Sequence, residues 1–308
     1  MRLTWIKAPI PTVAQHPGIP IASREERMGY KDVLVVLDAD PRVRDRIALA
    51  ATLAERFAAH LVGLNVAAEP PGRLEYFNSD APLFGPANRD TEEQFRAQAE
   101  GVRRLFDDIV GRHSLSSEWR TASGYPSQVA AVHGRYADLI VLGQINPDDA
   151  YSPLLRPRPE EVALLAGRPI LVVPYTGTFT TIGRQVLVGW DASREATRAV
   201  NDAMPLLAGA SSVTVISVDP KQRGDGHGEV PGADIALHLA RHGVSAEIEN
   251  AVSDGIGVGN ALLSRASDLA ADLLVMGAYG HSRVHELLLG GATRTVLASM
   301  TLPVLMAH

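Results

Sequence analysis

The sequence predicts an α/β protein built of two tandem open parallel-sheet domains of the Rossmann-like kind. At 308 residues the chain has about twice the length of a typical domain of roughly 150 residues. One pattern of short apolar runs alternating with helical stretches occurs twice along it, and such internal repetition indicates a duplicated folding unit. The runs are β-branched and apolar on both faces, which is typical of strands in a parallel sheet covered by helices on both sides.

The first copy opens with the apolar run 33–37, which ends in Asp38-Ala39. Apolar residues at helical spacing predict a helix over 44–59, with Asp40 as its candidate N-cap. The elements expected after it are a strand over 60–66, a Pro- and Gly-rich stretch over 69–86, a helix over 91–110, a strand, a turn at Gly124 with a helix behind it, a strand over 137–143 and a closing strand over 169–174.

The second copy repeats this order. It opens with the run 186–190, which ends in Asp191-Ala192, and Ser193 is the candidate N-cap of the next helix. The elements expected after it are a strand over 212–218, a flexible segment over 219–230, a helix over 233–242, a strand, a turn at Gly255 with a helix behind it, a strand over 271–277 and a closing strand over 303–306.

These repeats divide the chain into a first domain over 28–175 and a second over 182–308, joined by a short linker. Residues 1–27 contain four prolines and no helical period, so we expect a poorly ordered tail, and Met28 is a candidate for the natural start. Strands alternating with helices imply right-handed crossovers. Ligands of such sheets bind beyond the carboxyl ends of the strands.

Composition narrows the classes of function. The formal net charge of -6 argues against a broad basic face for nucleic acid. No apolar run approaches the ~20 residues of a membrane-spanning helix, so no membrane association is expected. The chain has no cysteine, which excludes disulfides and thiolate chemistry and fits a cytoplasmic protein.

The strongest local signal is a pair of glycine clusters after the strand over 271–277. Gly277 and Gly280 are followed, after nine residues, by Gly290 and Gly291. Glycines after a strand let the backbone approach a phosphate, and the N–H groups of a following helix supply donors for an anion. A turn with a tight helix-packing contact explains a lone glycine pair equally well.

With these residues the chain resembles the universal stress protein family, whose nucleotide-binding members carry Gly-x2-Gly-x9-Gly followed by Ser or Thr. The Asp that ends the first strand and the Pro-Val-Leu strand near the end add to the resemblance, which extends over 30–174 and 183–308. It implies two adenine-nucleotide α-hydrolase-like domains in a stress-response protein, with ATP and an accompanying Mg ion expected in the second domain.

The resemblance also implies roles for individual residues. Asp191, with Gly189 in the strand before it, is expected at the base and ribose end, and the backbone over 215–218, which includes Ser217 and Val218, is expected to hold adenine. The residues expected along the ribose and phosphate path are Met276, Gly277, Tyr279, Gly280, His281, Gly290, Gly291, Ala292 and Thr293.

Two positions depart from the family pattern. Gly291 stands where the family has Ser or Thr, which removes a hydroxyl contact worth roughly 0.5–1.5 kcal/mol, although Thr293 still offers a hydroxyl two residues on. Trp190 is large where a small residue is common, and core or interface packing is its favoured role.

The first domain lacks the glycine loop. Gly143 is followed by Gln144-Ile145-Asn146-Pro147-Asp148-Asp149, where a proline without a donor and two carboxylates oppose an anion. This half is therefore expected not to bind a triphosphate. The run 156–161 is interpreted as a solvated loop.

No catalytic residue is assigned. His281 and His285 are spaced i, i+4, yet no third metal ligand is identifiable, so a polar helix face near the ligand is favoured over a metal site. The leading hypothesis is a regulatory nucleotide-binding module. An interaction or structural protein that uses no nucleotide and a slow ATPase are the alternatives.

The assembly expected from the resemblance is internal. Family members usually dimerise through their last strands, so the closing strands 170–173 and 304–306 are expected to pair within one chain as a pseudo-dimer. A homodimer of whole chains stays open.

Overall fold

The structure is a computed structural model that describes residues 29–38, 40–67, 89–113, 115–148, 156–220, 231–280 and 291–308. The predicted tail, the Pro- and Gly-rich stretch over 69–86, His281, His285 and Gly290 lie outside the described residues.

Ten strands and nine helices alternate along the described parts of the chain. The strands are β1 Asp32–Leu37, β2 His60–Ala67, β3 Ser117–Ser123, β4 Leu139–Gly143, β5 Ile170–Val173, β6 Gln185–Gly189, β7 Ser212–Val218, β8 Glu247–Ala251, β9 Leu273–Gly277 and β10 Val304–Ala307. The helices are α1 Val43–Phe57, α2 Arg89–Val110, α3 Pro126–Gly134, α4 Pro159–Ala166, α5 Arg194–Asp202, α6 Met204–Leu207, α7 Ala233–Arg241, α8 Val258–Asp268 and α9 Gly291–Ser299.

The strands form one sheet in the order β3-β2-β1-β4-β5-β10-β9-β6-β7-β8. Read outward from the centre, the two halves have the same order, with β1 beside β4 in one and β6 beside β9 in the other. The sheet is parallel within each half. The α/β class with a largely parallel sheet is therefore confirmed.

The two halves meet along β5 and β10, which pair antiparallel with Val172 opposite Val304 and Ile170 opposite Met306. This pairing within one chain was predicted and is confirmed. All residues of the two strands are buried, so each covers an edge that would otherwise present unpaired backbone groups.

Two apolar layers cover the sheet. In β1, Val33 and Val35 face a layer that contains α1, α2, α5, α6 and α7, whereas Leu34 and Val36 face a layer that contains α3, α4, α8 and α9. Each layer includes residues of both halves. The uniformly apolar strands are explained by this burial on both faces.

An aspartate repeats the same contact in each half. Asp138 accepts hydrogen bonds from the backbone N of Lys31 and Asp32 before β4. Asp272 accepts from the backbone N of Gly183 and its neighbours before β9. The repeat therefore extends to the amino end of the sheet.

Two local predictions were wrong. Asp40 is not the N-cap of α1, because Arg42 occupies that position without a side-chain cap, and the Asp40 carboxylate accepts from the Arg42 backbone N instead. The run 156–161 is not a solvated loop, because Arg156 is buried and Pro159 begins α4.

Candidate nucleotide site

A cavity of about 550 Å³ lies at the carboxyl ends of β6, β7 and β9. β6 and β9 are neighbours, and the chain reverses its winding direction between them, which is where open α/β sheets bind ligands. The cavity is lined by Gly189, Trp190, Asp191, Ile216, Val218, Val258, Leu262, Met276, Gly277, Gly280, Gly291, Ala292 and Thr293.

One part of the wall is apolar. Ile216 and Val218 project from β7, and Val258 and Leu262 project from the first turns of α8. Trp190, which follows β6, closes the wall and also packs against the core. Such a surface suits a flat, weakly polar ring.

The glycine turn after β9 forms another part. A Cβ at Gly277 would lie 2.5 Å from the backbone N of Ala196, so α5 packs too closely for any side chain there. Tyr279 has a φ of 61°, a left-handed conformation that is uncommon outside glycine. The packing explanation therefore accounts for Gly277, while the turn brings Gly280 to the cavity wall.

The first described turn of α9 faces this turn. Thr293 is buried, and its hydroxyl oxygen accepts a hydrogen bond from the Tyr279 backbone N at 3.2 Å. This hydrogen bond joins α9 to the glycine turn. No atom of the described residues lies within 4 Å of a Cβ built on Gly291, so these residues leave room for a side chain there.

Asp191 is held by the start of α5. Its Oδ1 accepts from the Ser193 backbone N at 3.1 Å and from the Ser193 hydroxyl at 2.5 Å. The Ser193 oxygen in turn accepts from the Ala196 backbone N, which confirms Ser193 as the N-cap. The carboxylate is therefore fixed at the cavity rather than free to rotate.

Glu195 lies behind the glycine turn, and the sequence reasoning did not identify it. Its side chain is buried, and a Cβ on Gly280 would lie 3.5 Å from its Oε2. Burial alone would raise the pKa of this carboxyl, but the hydrogen bond from Arg194 at 2.7 Å, a backbone hydrogen bond and the charges of Arg194 and His308 together lower it. Glu195 is therefore an anion beside the turn.

Most of the predicted residues come together at the cavity. Those that line it are Gly189, Asp191, Val218, Met276, Gly277, Gly280, Gly291, Ala292 and Thr293. Ser217 and Tyr279 are not in the wall. Because side chains alternate along a strand and Ile216 and Val218 line the cavity, the Ser217 side chain points to the opposite face of the sheet.

The sequence reasoning missed three lining residues or gave them another role. Trp190 was interpreted as packing alone, and Val258 and Leu262 were not singled out, whereas Ile216 belongs to the predicted segment 215–218. The signal for Val258 and Leu262 was their i, i+4 spacing directly after the Gly255 turn, which places both on one face of α8.

The corresponding position of the first half is filled by its own side chains. Arg46 is fully buried, and its guanidinium lies against Gly143 so closely that a Cβ there would overlap it. Arg46 Nη2 is 2.5 Å from Asp38 Oδ1, Arg46 Nη1 is 3.5 Å from Asp40 Oδ2, and Arg156 Nη1 is 3.8 Å from the same Asp40 oxygen. Two guanidinium groups and two carboxylates thus form a buried charge cluster.

Two further features concern metal-binding side chains and membrane-spanning helices. In the described parts of the chain, no group of three or more His, Asp or Glu side chains is placed to hold a metal ion. No helix among the described residues is long and apolar enough to cross a membrane.

Fold and cavity together define a doubly wound α/β protein with a ligand-sized cleft at the switch point of its second half. Residues 183–308 match the model of the Universal stress protein family, so the second half is a domain of that family. No curated protein matches the sequence.

Solved structures are similar over nearly the whole chain. A universal stress protein from Archaeoglobus fulgidus is 16% identical, with 91% of this chain and 97% of that chain covered and a TM-score of 0.71. A functionally unknown protein from Pseudomonas aeruginosa is 17% identical, with 90% and 92% covered and a TM-score of 0.53. At these identities the likeness shows the fold.

Proposed function

We propose that this chain binds an adenine nucleotide, foremost ATP, in its second half and acts as a regulatory module of the stress response rather than as an efficient enzyme. The observation that carries the proposal is the cavity at the β6–β9 switch point, which combines an apolar wall, a fixed carboxylate and a glycine turn. The family match over 183–308 supports it.

Each part of the wall suits one part of the ligand. The apolar side chains of β7 and α8 suit adenine. Asp191 can accept from ribose hydroxyls. Backbone N–H groups of the glycine turn and of the first described turn of α9 can donate to phosphates. A magnesium ion would arrive with the nucleotide, held mainly by its phosphates.

We also propose that the chain is a tandem of two such domains, over 28–175 and 182–308, that imitates a dimer within one polypeptide. The repeated strand order and the β5–β10 junction support this arrangement. The Arg46 cluster supports the inference that the first half does not bind a triphosphate, because a guanidinium lies against Gly143.

The test is calorimetric titration of nucleotide-stripped protein with ATP. Gly291→Asp and Gly291→Asn provide a matched pair, because the two side chains have nearly the same size and differ in charge, and no described atom lies within 4 Å of a Cβ at this position. We expect saturable binding to the wild type, a moderate loss for the Asn variant and a much larger loss for the Asp variant, whose carboxylate repels phosphate. Absence of saturable binding to the wild type contradicts the proposal.

A gain-of-affinity variant tests the assignment of the phosphate end. Gly291→Ser restores the hydroxyl that the family pattern places here, and one added hydrogen bond is worth about 0.5–1.5 kcal/mol. ATP should therefore bind several-fold more tightly to this variant. Gly101→Ser, in α2 of the first half, serves as the control and should leave affinity unchanged, because no described atom lies within 4 Å of a Cβ built there.

A nucleotide-independent interaction protein is the second candidate, and Glu195 favours it, since a buried anion beside the glycine turn opposes phosphate. Adenine nucleotide retained by the purified protein, detected by absorbance and mass, decides between the two. A slow ATPase is the third; turnover above background that Asp191→Ala abolishes would support it.

A further inference from the structure

Gln144 connects the first half to the wall of the cavity in the second. Its side chain is 3% exposed. Its Nε2 donates to the Leu297 carbonyl of α9 at 2.8 Å, and its Oε1 accepts from the Tyr175 backbone N at 3.2 Å. Both ends of the buried amide are therefore satisfied, one of them across the junction between the halves.

The carbonyl that Gln144 reaches is one that a helix cannot satisfy by itself. α9 ends at Ser299, so Leu297 lies in its last turn, where carbonyls lack an intrahelical donor. Gln144 supplies that donor from the first half. The last turn of α9 is thereby fixed to the end of β4.

α9 is short and held at both ends. A Cβ on Gly259 of α8 would lie 2.7 Å from Thr295 Cβ and 2.9 Å from the Ala292 carbonyl oxygen, so α8 supports its first part closely. Gln144 supports its last turn. A helix of nine residues is about 13 Å long, so displacement of one end moves the other.

The equivalent residue of the second half cannot make this contact. Gln144 N donates to Val173 O at the end of β5, and Ala278 N donates to Ala307 O at the end of β10, so the two residues occupy matching places. Ala278 has no polar side chain. The contact is thus specific to the first half.

An electrostatic influence acts in the same direction. Burial raises the pKa of Tyr279 in the glycine turn, the charges of Glu160 and Glu161 raise it further and the charge of Arg158 lowers it, so Tyr279 stays a neutral phenol. These three charged residues lie at the start of α4, so the first half influences the turn as well as α9.

We propose that Gln144 is a positioning residue for the nucleotide site, through which the first half sets the place of α9. Gln144 follows β4, where the first half lacks the glycine pattern, and it supports α9 of the half that keeps this pattern. This inference rests on the proposed function, since its ligand is the nucleotide assigned there. The cavity residues of α9 in question are Gly291, Ala292 and Thr293.

The experiment compares Gln144→Met with Tyr30→Phe in the full chain. Gln144→Met keeps the side-chain volume and removes both hydrogen bonds. Tyr30 is also buried and donates across the junction, to the Asp202 carbonyl at 2.8 Å, but it does so at the last residue of α5, away from the cavity wall. The two variants therefore remove similar bonds at different places.

Three quantities are to be compared between the variants and the wild type: the ATP affinity from calorimetry, the midpoint of unfolding, and the amide hydrogen exchange of α9. Gln144→Met should bind ATP about fivefold more weakly and exchange α9 amides faster, whereas Tyr30→Phe should lower the unfolding midpoint similarly and leave affinity and α9 exchange unchanged. Should Gln144→Met not fold, Gln144→Asn keeps an uncharged amide and shortens the side chain by one methylene, so that it cannot span both the Leu297 carbonyl and the Tyr175 N.

Unchanged affinity and unchanged α9 exchange in the Gln144 variants would overturn the inference, as would equal losses of affinity in the Tyr30 variant. If the wild type does not bind ATP, the proposed function fails, and α9 exchange alone still decides the positioning role. Faster α9 exchange confined to the Gln144 variants supports it, and unchanged exchange refutes it.

Discussion

At the scale of single residues, the charge of Glu195 depends on one exposed partner. The carboxyl is buried and faces the glycine turn, and Arg194, whose side chain is 78% exposed, donates to it. Because its pKa is lowered in the folded protein, its ionised form stabilises the fold above the ordinary carboxyl range. That contribution is lost as the pH falls through the folded pKa.

Arg194→Gln should reverse the sign of this effect. With the guanidinium removed, burial is the largest remaining influence and should raise the pKa of Glu195 above its usual range. The ionised carboxylate then destabilises the fold, so the free energy of unfolding should fall as the pH rises between about 4 and 7. Denaturant unfolding across this range provides the measurement.

The control for this substitution is Arg184→Gln. It removes the same charge from an exposed residue at the other end of β6. Its pH profile should run parallel to that of the wild type. Parallel profiles for Arg194→Gln and the wild type would contradict the assigned role of Arg194.

The buried cluster of the first half predicts a large cost for Arg46→Met. Removing Arg46 leaves Asp38 and Asp40 buried with Arg156 as their remaining cation in the cluster, and breaking a buried pair by removing one partner costs about 3–5 kcal/mol. Arg103→Met, at an exposed pair with Asp107, should cost less than about 1 kcal/mol. Chemical denaturation compares them, and similar small losses would show that the cluster contributes little.

At the scale of elements, alanine substitutions of two helix glycines should change the stability of the fold in opposite directions. One glycine lies where α8 packs against α9, and the other lies in α2. A Cβ at Gly259 meets Thr295 and the Ala292 carbonyl, whereas a Cβ at Gly101 in α2 meets no atom of the described residues within 4 Å. Gly259→Ala should destabilise the fold by about 1–3 kcal/mol and weaken nucleotide binding, because α9 must move.

The matched substitution Gly101→Ala should stabilise the fold by about 0.5–1 kcal/mol and leave binding unchanged. Thermal unfolding and calorimetry of both variants test the pair. A Gly259→Ala protein as stable as the wild type would show that the two helices can separate without cost.

The elements could be predicted where local sequence decides them. The central strands were found because burial on both faces demands continuous apolar runs, whereas the polar edge strands β3 and β8 were expected only from the repeat, without bounds. Ser193 was found because a hydroxyl before a helix caps it. Asp40 and Arg156 were misread for one reason: their ion pairs join β1, α1 and the segment before α4. Contacts between residues distant in sequence leave no local pattern.

The residues of the candidate site also fall into those that a local motif predicts and those whose role depends on neighbours distant in sequence. The glycine spacing located Gly277, Gly280 and Gly291, since a motif is local. Glu195 and Gln144 gave no such signal, because their importance comes from neighbours across the fold, the glycine turn for Glu195 and α9 for Gln144.

At the scale of the whole molecule, the junction of β5 with β10 makes the second half incomplete by itself. Each residue of β10 is buried between β9 and β5. A fragment of residues 182–308 would lose β5 and present the β10 edge, whose unpaired N–H and C=O groups and apolar side chains favour another strand. A second copy offers the same strand in an arrangement with twofold symmetry.

We therefore expect the fragment to dimerise through antiparallel pairing of two β10 strands, as β5 and β10 pair in the intact chain. Sedimentation over a range of concentrations should give a dimer mass for the fragment, and addition of a separately produced first half should compete with that dimer. The intact chain, whose β10 edge is already covered, is the control and should not self-associate through this strand. A fragment that stays monomeric at every concentration would mean that β10 needs no partner strand, and the junction would then be a consequence of the tandem arrangement rather than a requirement of the fold.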